Sequence, residues 1–308
     1  MRDLSGLPDL TLALVQTTLV WHDRQANFEH FEELLEQARG ADLVVLPEMF
    51  TTGFSMDSKT LAEPEGGPAT QWLRAQAAKL NAVVTGSVIV QAADGSHRNR
   101  LLWARPDGEV LHYDKRHLFR MAGEHEHFTP GERQVQFEVK GWRIRPLICY
   151  DLRFPVWSSD PHDTDLLLYT ANWPGARRLH WNRLLPARAI ENLCYVGAVN
   201  RVGTDGKGLV YSGDSQFFDF QRGKAVGTVH VGAALDPVDR GAMHHLVGIG
   251  DTLQKPQGNT VGEFVVGLHA FGVNGRTHGL NPCPALLALG KHRVETHIGA
   301  GQVGATAW

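Results

Sequence analysis

The chain has 308 residues, of which 43% are hydrophobic, so it can bury a sizeable core as one large α/β unit or as two domains. Its formal net charge of -3 argues against a broad basic surface, and no nucleic-acid partner is expected. No apolar run approaches the ~20 residues of a membrane span, so we expect no membrane partner. The sequence shows no signal-peptide pattern, and its three cysteines cannot form a disulfide framework. We therefore expect a cytoplasmic protein.

Strands and helices alternate in the pattern of residues 1–220. The apolar run from Leu10 to Gln16 predicts a buried strand. A helix is predicted from its capping residue Asp23 to about Ala38, with Gly40 ending it. Further strands are predicted at 43–46, 82–90, 99–104, 109–113, 134–139, 142–149, 165–170 and 194–200, and further helices at 68–80 and 176–193. This interleaving predicts α/β layers around mixed sheets.

Residues 221–308 have a different composition. They hold 16 of the 33 glycines of the chain, few aromatic residues and little helical periodicity. Such a composition buries too little apolar surface to offset the entropy of ordering the chain. We therefore expect an atypical, poorly ordered C-terminal extension, with a small extra domain as the alternative.

Three chemically active residues each follow a predicted strand. Cys149 lies at a strand-to-helix junction, where converging backbone N–H groups suit an oxyanion hole, although a cysteine is also often a small core residue. Glu48 and Lys115 follow strands too, but each on its own could be a solvated charge, and Asp114 or Arg116 could equally take a site role.

The three residue types are chemically complementary. A cysteine nucleophile needs a base, and a carboxylate in an apolar pocket can have a pKa raised enough to serve. A lysine beside the thiol would favour the thiolate and later face the developing oxyanion.

A cluster of acidic residues and histidines follows at 123–127. Glu124, His125 and His127 are residue types that bind Zn²⁺, but they lack the i, i+4 histidine pair of the zincin motif. A solvated or locally paired loop is therefore preferred over a metal site.

Three segments resemble the nitrilase superfamily, also called the carbon–nitrogen hydrolases. They are Leu46-Pro-Glu-Met-Phe50, Tyr113-Asp-Lys-Arg-His117 and Ile148-Cys-Tyr-Asp-Leu-Arg-Phe-Pro155. The segments at 47–56, 114–121, 171–174, 187–192 and 213–215 resemble its bacterial ω-amidase branch. The resemblance runs from about Leu10 to Phe220, and so predicts a carbon–nitrogen hydrolase domain over residues 1–220. It implies an αββα sandwich and a homodimer.

The resemblance also implies roles for individual residues. Glu48 would be the general base, Lys115 the oxyanion stabiliser, Cys149 the nucleophile and Glu124 a second glutamate beside this triad. The residues implied to contact the substrate are Tyr150, through its backbone N–H, and the pocket-lining Asn172 and Trp173. The chemistry implied requires no metal and no organic cofactor.

The implied function is hydrolysis of the ω-amide of 2-oxo dicarboxylate monoamides, such as 2-oxoglutaramate and 2-oxosuccinamate, through a cysteine thioester. The far carboxylate of such substrates needs a cationic partner, for which Arg153, Arg116 and Arg120 are candidates, with structural ion pairs as the alternative. Other functions stay open. They are another branch of the superfamily, acting on aliphatic amides, N-carbamoyl amino acids, nitriles or deaminated glutathione, and a non-catalytic binding module on the same scaffold.

The sequence departs from the family after Phe220, where the closing strands and short tail of the family cannot be found. Either the lineage has acquired an extension, or the reading frame has shifted near residues 220–235. The second hypothesis is preferred, because a shifted frame would yield glycine-rich sequence without regular patterning.

Overall fold

The computed structural model of the protein describes residue 4, residues 6–159 and 164–220, and the backbones of three strands at 225–228, 246–247 and 265–268. All of these belong to Met1–Gly272, the first of the two units into which the chain divides. The second unit, Val273–Trp308, lies outside the described residues. The same holds for most of the predicted extension 221–308.

The described strands and helices follow in chain order. The strands are β1 (Leu10–Leu14), β2 (Leu43–Val45), β3 (Glu63–Pro64), β4 (Val83–Gln91), β5 (His97–Ala104), β6 (Val110–Asp114), β7 (Phe137–Val139), β8 (Trp142–Ile148), β9 (Leu166–Ala171), β10 (Tyr195–Asn200), β11 (Val202–Thr204), β12 (Val210–Ser212), β13 (Gln216–Phe218), β14 (Ala225–Thr228), β15 (Leu246–Val247) and β16 (Val265–Leu268). The α-helices are α1 (Arg24–Leu35), α2 (Ser58–Leu61), α3 (Pro68–Leu80), α4 (Glu124–His127), α5 (Pro155–Ser158) and α6 (Arg178–Asn192). None of the described helices is long and apolar enough to cross a membrane.

These strands form two large mixed sheets and a two-stranded ribbon. The first sheet has the order β15-β16-β1-β2-β4-β5-β6, with β3 beside β4, and its central strands β1, β2 and β4 are parallel. The second sheet has the order β14-β13-β10-β9-β8-β7, with β8, β9 and β10 parallel. Parallel strands are covered on both faces, which explains their nearly continuous apolar sequences.

The two sheets face each other and are covered on their outer faces by helices. Leu12 on β1 packs against Gly197 on β10 of the second sheet. A Cβ atom added to this glycine would lie 3.5 Å from the Leu12 side chain. The next residue, Ala13, points the opposite way and shares a buried cluster with Phe31 of α1 and with α3. Helix α6 packs Trp181 on the outer side of the second sheet. The predicted αββα sandwich is confirmed.

Most predicted elements agree with the observed ones to within a few residues. Helix α1 begins where predicted, because the Asp23 side chain accepts a hydrogen bond of 2.9 Å from the Ala26 N–H. The helix predicted at 176–193 is shorter, because its first turn, Gly175–Arg177, is a 3₁₀ helix. The second sheet extends past residue 220, where β14 pairs antiparallel with β13. The glycine-rich sequence there gave no strand signal, whereas main-chain pairing does not depend on such a pattern.

Candidate active site

The parallel strands bring predicted site residues to one edge of the sandwich. Glu48 follows β2, Cys149 follows β8 directly, and Asn172 follows β9 directly. Lys115 follows the antiparallel strand β6. The carboxyl ends of parallel strands are the usual place for sites in α/β folds.

The nucleophile candidate lies on a sharp turn. Cys149 is a buried, free thiol that begins the 3₁₀ helix Cys149–Arg153 with a φ of +43°. A left-handed conformation at a residue other than glycine costs on the order of 1–3 kcal/mol and has to be held by its surroundings. Cys194, the other cysteine among the described residues, lies in the core, as predicted.

A buried ammonium group lies between two carboxylates. The Lys115 Nζ atom is 2.8 Å from Glu48 Oε1, 3.0 Å from Glu124 Oε1 and 2.9 Å from Glu124 Oε2. All three side chains are 0% exposed. The structure therefore brings together the predicted lysine and both predicted glutamates, and a single cation faces two carboxylates.

Neutral donors fix the orientation of both carboxylates. The Asn99 Nδ2 atom donates to Glu48 Oε1 at 2.8 Å and to Glu124 Oε1 at 3.1 Å. The backbone N–H of Asn172 donates to Glu48 Oε2 at 2.9 Å, and that of Phe119 donates to Glu124 Oε2 at 2.5 Å. The Asn172 side chain also donates to the Glu48 carbonyl. Asn99 was not singled out from the sequence, where it lies between Arg98 and Arg100 and no local pattern indicates its role.

The charges in this cluster set its protonation. Burial by itself lowers the pKa of Lys115, but the charges of Glu124 and Glu48 outweigh burial and raise that pKa, so the side chain is an ammonium ion. Burial raises the pKa of Glu124, and the Lys115 charge offsets part of this rise.

Several opposing effects act on the thiol. Burial, followed by the charge of Glu48, raises the pKa of Cys149 well above its ordinary value. The charge of Lys115 lowers that pKa, in the expected direction, but desolvation and the two carboxylates outweigh one cation. The resting thiol is neutral and needs a base, and the same thiol hydrogen-bonds to Glu48.

Asp151 ties the cysteine turn to the lysine loop and was not predicted. Its buried carboxylate accepts hydrogen bonds from the Ile148 N–H at 3.0 Å, the His117 N–H at 2.9 Å and the Tyr113 hydroxyl at 2.7 Å. Because Ile148 precedes Cys149 and His117 follows Lys115 by two residues, Asp151 positions both segments.

The predicted substrate-contacting residues lie beside this cluster. Asn172 hydrogen-bonds Glu48, as described above, and Tyr150 follows Cys149 in the chain. Trp173 is almost fully buried, and its backbone N–H donates to Asn200 Oδ1 at 2.7 Å. The ring of Phe54, which sequence reasoning did not select, lies 5.3 Å from Lys115 Nζ.

The three candidate arginines differ in their surroundings. The Arg153 guanidinium lies 5.1 Å from the Trp173 ring centroid, beside the site. Arg116 instead lies over the Trp157 ring at 5.5 Å and donates to a backbone carbonyl. Arg120 is exposed.

The histidines at 123–127 do not join Glu124. The Glu124 carboxylate turns toward Lys115, whereas the His125 ring lies 3.9 Å from Glu126. Among the residues that the structure describes, no group of three or more His, Cys, Asp or Glu side chains is arranged to hold a metal ion. The zinc site considered from sequence is thus not assembled in the described ranges.

Comparison with known proteins agrees with the fold and with the chemistry of the site. The carbon–nitrogen hydrolase family profile matches residues 11–228, and the chain belongs to this family. The omega-amidase YafV of Yersinia enterocolitica is 53% identical over 210 residues, which are 68% of this chain and 81% of that protein. The 2-oxoglutaramate amidase of Bacillus subtilis is 36% identical over 202 residues, 63% of this chain and 77% of that protein.

A solved structure shows the same architecture. XC1258 from Xanthomonas campestris is a CN-hydrolase superfamily protein with an arsenic adduct in its active site. Its sequence is 49% identical to that of this chain, and the two structures match with a TM-score of 0.69. The match covers 72% of this chain and 86% of the XC1258 chain. The predicted membership of the nitrilase superfamily and its ω-amidase branch is confirmed.

Proposed function

We propose that this chain is an amidase that hydrolyses the ω-amide of short 2-oxo dicarboxylate monoamides, such as 2-oxoglutaramate, to the 2-oxo acid and ammonia. The chemistry is supported by one observation above all, the buried Lys115 ammonium held by Glu48 and Glu124 beside a free thiol. The substrate class is supported by the similarity to an omega-amidase and to a 2-oxoglutaramate amidase.

The first half-reaction forms the thioester. Because the resting thiol of Cys149 is neutral, Glu48 takes its proton as the sulfur attacks the amide carbon. The carbonyl oxygen becomes an oxyanion, stabilised by the Lys115 ammonium and by the Tyr150 backbone N–H. Glu48 then gives the proton to the amide nitrogen, the C–N bond breaks, and ammonia leaves.

The second half-reaction releases the acid. Glu48 takes a proton from a water molecule, whose oxygen attacks the thioester carbon. The oxyanion returns to the same donors, the C–S bond breaks, and the proton passes back to the sulfur. Glu124 keeps Lys115 charged and in place throughout, since its charge is the largest effect that raises the lysine pKa.

The test is ammonia release from 2-oxoglutaramate, 2-oxosuccinamate, glutamine and a simple nitrile. We expect turnover of the two oxo-amides by the wild-type protein and by Cys194→Ala, a matched control at a buried thiol outside the site. Cys149→Ala should lose this activity. A folded wild-type protein that releases no ammonia from either oxo-amide would refute the proposal, and turnover of glutamine or the nitrile instead would assign another branch of the superfamily.

Two further expectations accompany this function. We propose a homodimer, as the family resemblance implies, and a reducing cytoplasmic location, as the cysteine content favours. Light scattering on the purified full-length chain tests the first, since a mass of 34.0 kDa would mean a monomer.

A further inference from the structure

Aromatic rings and guanidinium groups alternate beside the nucleophile. The Tyr150 ring, next to Cys149 in the chain, lies 5.0 Å from the Phe119 ring. The Arg177 guanidinium lies 4.9 Å from the centroid of Phe119, and the Arg153 guanidinium lies 5.9 Å from that of Tyr150. Arg153 also covers Trp173 at 5.1 Å. Two cations are thus held by rings around the residue that follows Cys149.

Neither cation has a carboxylate partner among the described residues. The neighbouring Arg178 shows the contrast, because it makes a two-pronged pair with Asp214 at 2.7 and 2.8 Å. Arg153 donates to the Nδ1 atom of His180, a neutral acceptor, at 2.8 Å. Both Arg153 and Arg177 are partly exposed, so their remaining N–H groups can reach a ligand.

An arginine that lies over an aromatic ring is suited to binding a carboxylate. The ring restricts the guanidinium while N–H groups stay available, so less side-chain entropy is lost when two parallel hydrogen bonds form. Lys115, the buried cation of the site, is already paired with two glutamates and is not available to bind a second carboxylate.

We propose that Arg153, assisted by Arg177, binds the substrate carboxylate that lies at the end opposite the reacting amide, and so selects acidic amides over neutral ones. This inference rests on the proposed function for the identity of the substrate. In 2-oxoglutaramate four bonds separate the carboxylate carbon from the amide carbon, and these two atoms lie about 5 Å apart in the extended form. The proposal therefore places the N–H groups of Arg153 about one ligand length from the amide carbon held at Cys149.

The first test compares Arg153→Gln and Arg177→Gln with Arg183→Gln, a matched loss of charge at an exposed position of α6. A hydrogen-bonded charge pair is typically worth a factor of about 10 to 100, and we expect Arg153→Gln to lower kcat/KM for 2-oxoglutaramate by that factor, with most of the change in KM. Arg177→Gln should have a smaller effect in the same direction. An effect of Arg153→Gln no larger than that of Arg183→Gln would overturn the inference.

The second test does not depend on turnover. Iodoacetamide is neutral, and its rate of alkylation at Cys149, followed by mass spectrometry, should change less than about twofold in Arg153→Gln if the nucleophile is intact. Glutarate should protect Cys149 in the wild-type protein, and about tenfold more glutarate should be needed in Arg153→Gln.

The outcomes separate the two proposals. A wild-type protein that is protected by glutarate but does not hydrolyse 2-oxoglutaramate would refute the proposed function and support the anion site. Turnover of 2-oxoglutaramate without protection by glutarate would overturn the anion site alone. A large fall in the iodoacetamide rate of Arg153→Gln would also overturn it, because the arginine would then be structural.

Discussion

Replacing Lys115 by glutamine should destabilise the fold, and the loss should shrink as the pH falls. Lys115→Gln keeps donors near Glu48 and Glu124 but removes the positive charge that, among the described residues, contacts both carboxylates. Because all three side chains are fully buried, the two carboxylates cannot turn to solvent.

The expected size follows from the burial of the pair. Removing one partner of a buried ion pair costs about 3–5 kcal/mol, which is a large part of the roughly 5–15 kcal/mol that stabilises a typical domain. An exposed pair contributes only about 0–1 kcal/mol. Lys79 and Glu36 form such a pair at 2.6 Å, with both side chains nearly half exposed, so Lys79→Gln is the matched control.

The sign of the pH dependence follows from Glu124. Burial raises its pKa in the folded protein, and Lys115 is the largest effect that opposes this rise. Without the lysine the folded-state pKa rises further above its unfolded value of about 4.3. The resulting loss of folding stability is complete at pH values above the folded-state pKa of Glu124. It disappears at lower pH, where Glu124 is protonated in both the folded and the unfolded protein.

Urea unfolding at pH 8 and pH 5.5 measures this effect. At pH 8 we expect the free energy of unfolding of Lys115→Gln to fall by about 3–5 kcal/mol, and at pH 5.5 by less. The same variant should lose about 10²–10³-fold in kcat, because one donor to the oxyanion is weakened. A loss no larger than that of Lys79→Gln, or one that grows toward acid pH, would refute the reasoning.

The remaining predictions concern the two groups that hold this site in place. Glu124→Gln leaves a neutral pair of Lys115 and Glu48, so it should lower kcat by about 10- to 100-fold while costing less stability than Lys115→Gln, as steady-state kinetics and urea unfolding would measure. A fully active Glu124→Gln would contradict the role of this carboxylate. Asp151→Asn turns a donor toward the Ile148 N–H and the Tyr113 hydroxyl, so it should lower stability by about 1–3 kcal/mol and slow the alkylation of Cys149 by iodoacetamide. An unchanged alkylation rate would show that Asp151 does not position the nucleophile.

Local patterns along the chain were enough for most of the fold. Strand Leu43–Val45 lies in a short apolar run between Asp42 and Pro47, and helix α3 has proline in its first turn, so the signals for both lie within a few residues of the element. The final strands were not predicted. Strand β16 pairs with β1 across most of the chain, and no local pattern in a glycine-rich sequence indicates that partner.

The candidate site divides in the same way. Glu48, Lys115 and Cys149 could be selected because each follows a strand and their chemistry is complementary. Asn99 could not be selected, because the two carboxylates that it bridges lie 25 and 51 residues away in the chain. Asp151 could not be selected either, because it joins its own loop to groups 34 and 38 residues away.

Periodicity, strand ends and contiguous motifs along the chain predict the layered α/β fold and the family, and they select Glu48, Lys115 and Cys149 as candidates. The raised pKa of the thiol, the pairing of one lysine with two glutamates and the position of Arg153 beside Trp173 are visible only once the chain is folded. These properties depend on burial and on distances between segments far apart in the chain, and electrostatic energies in a buried site change steeply with both.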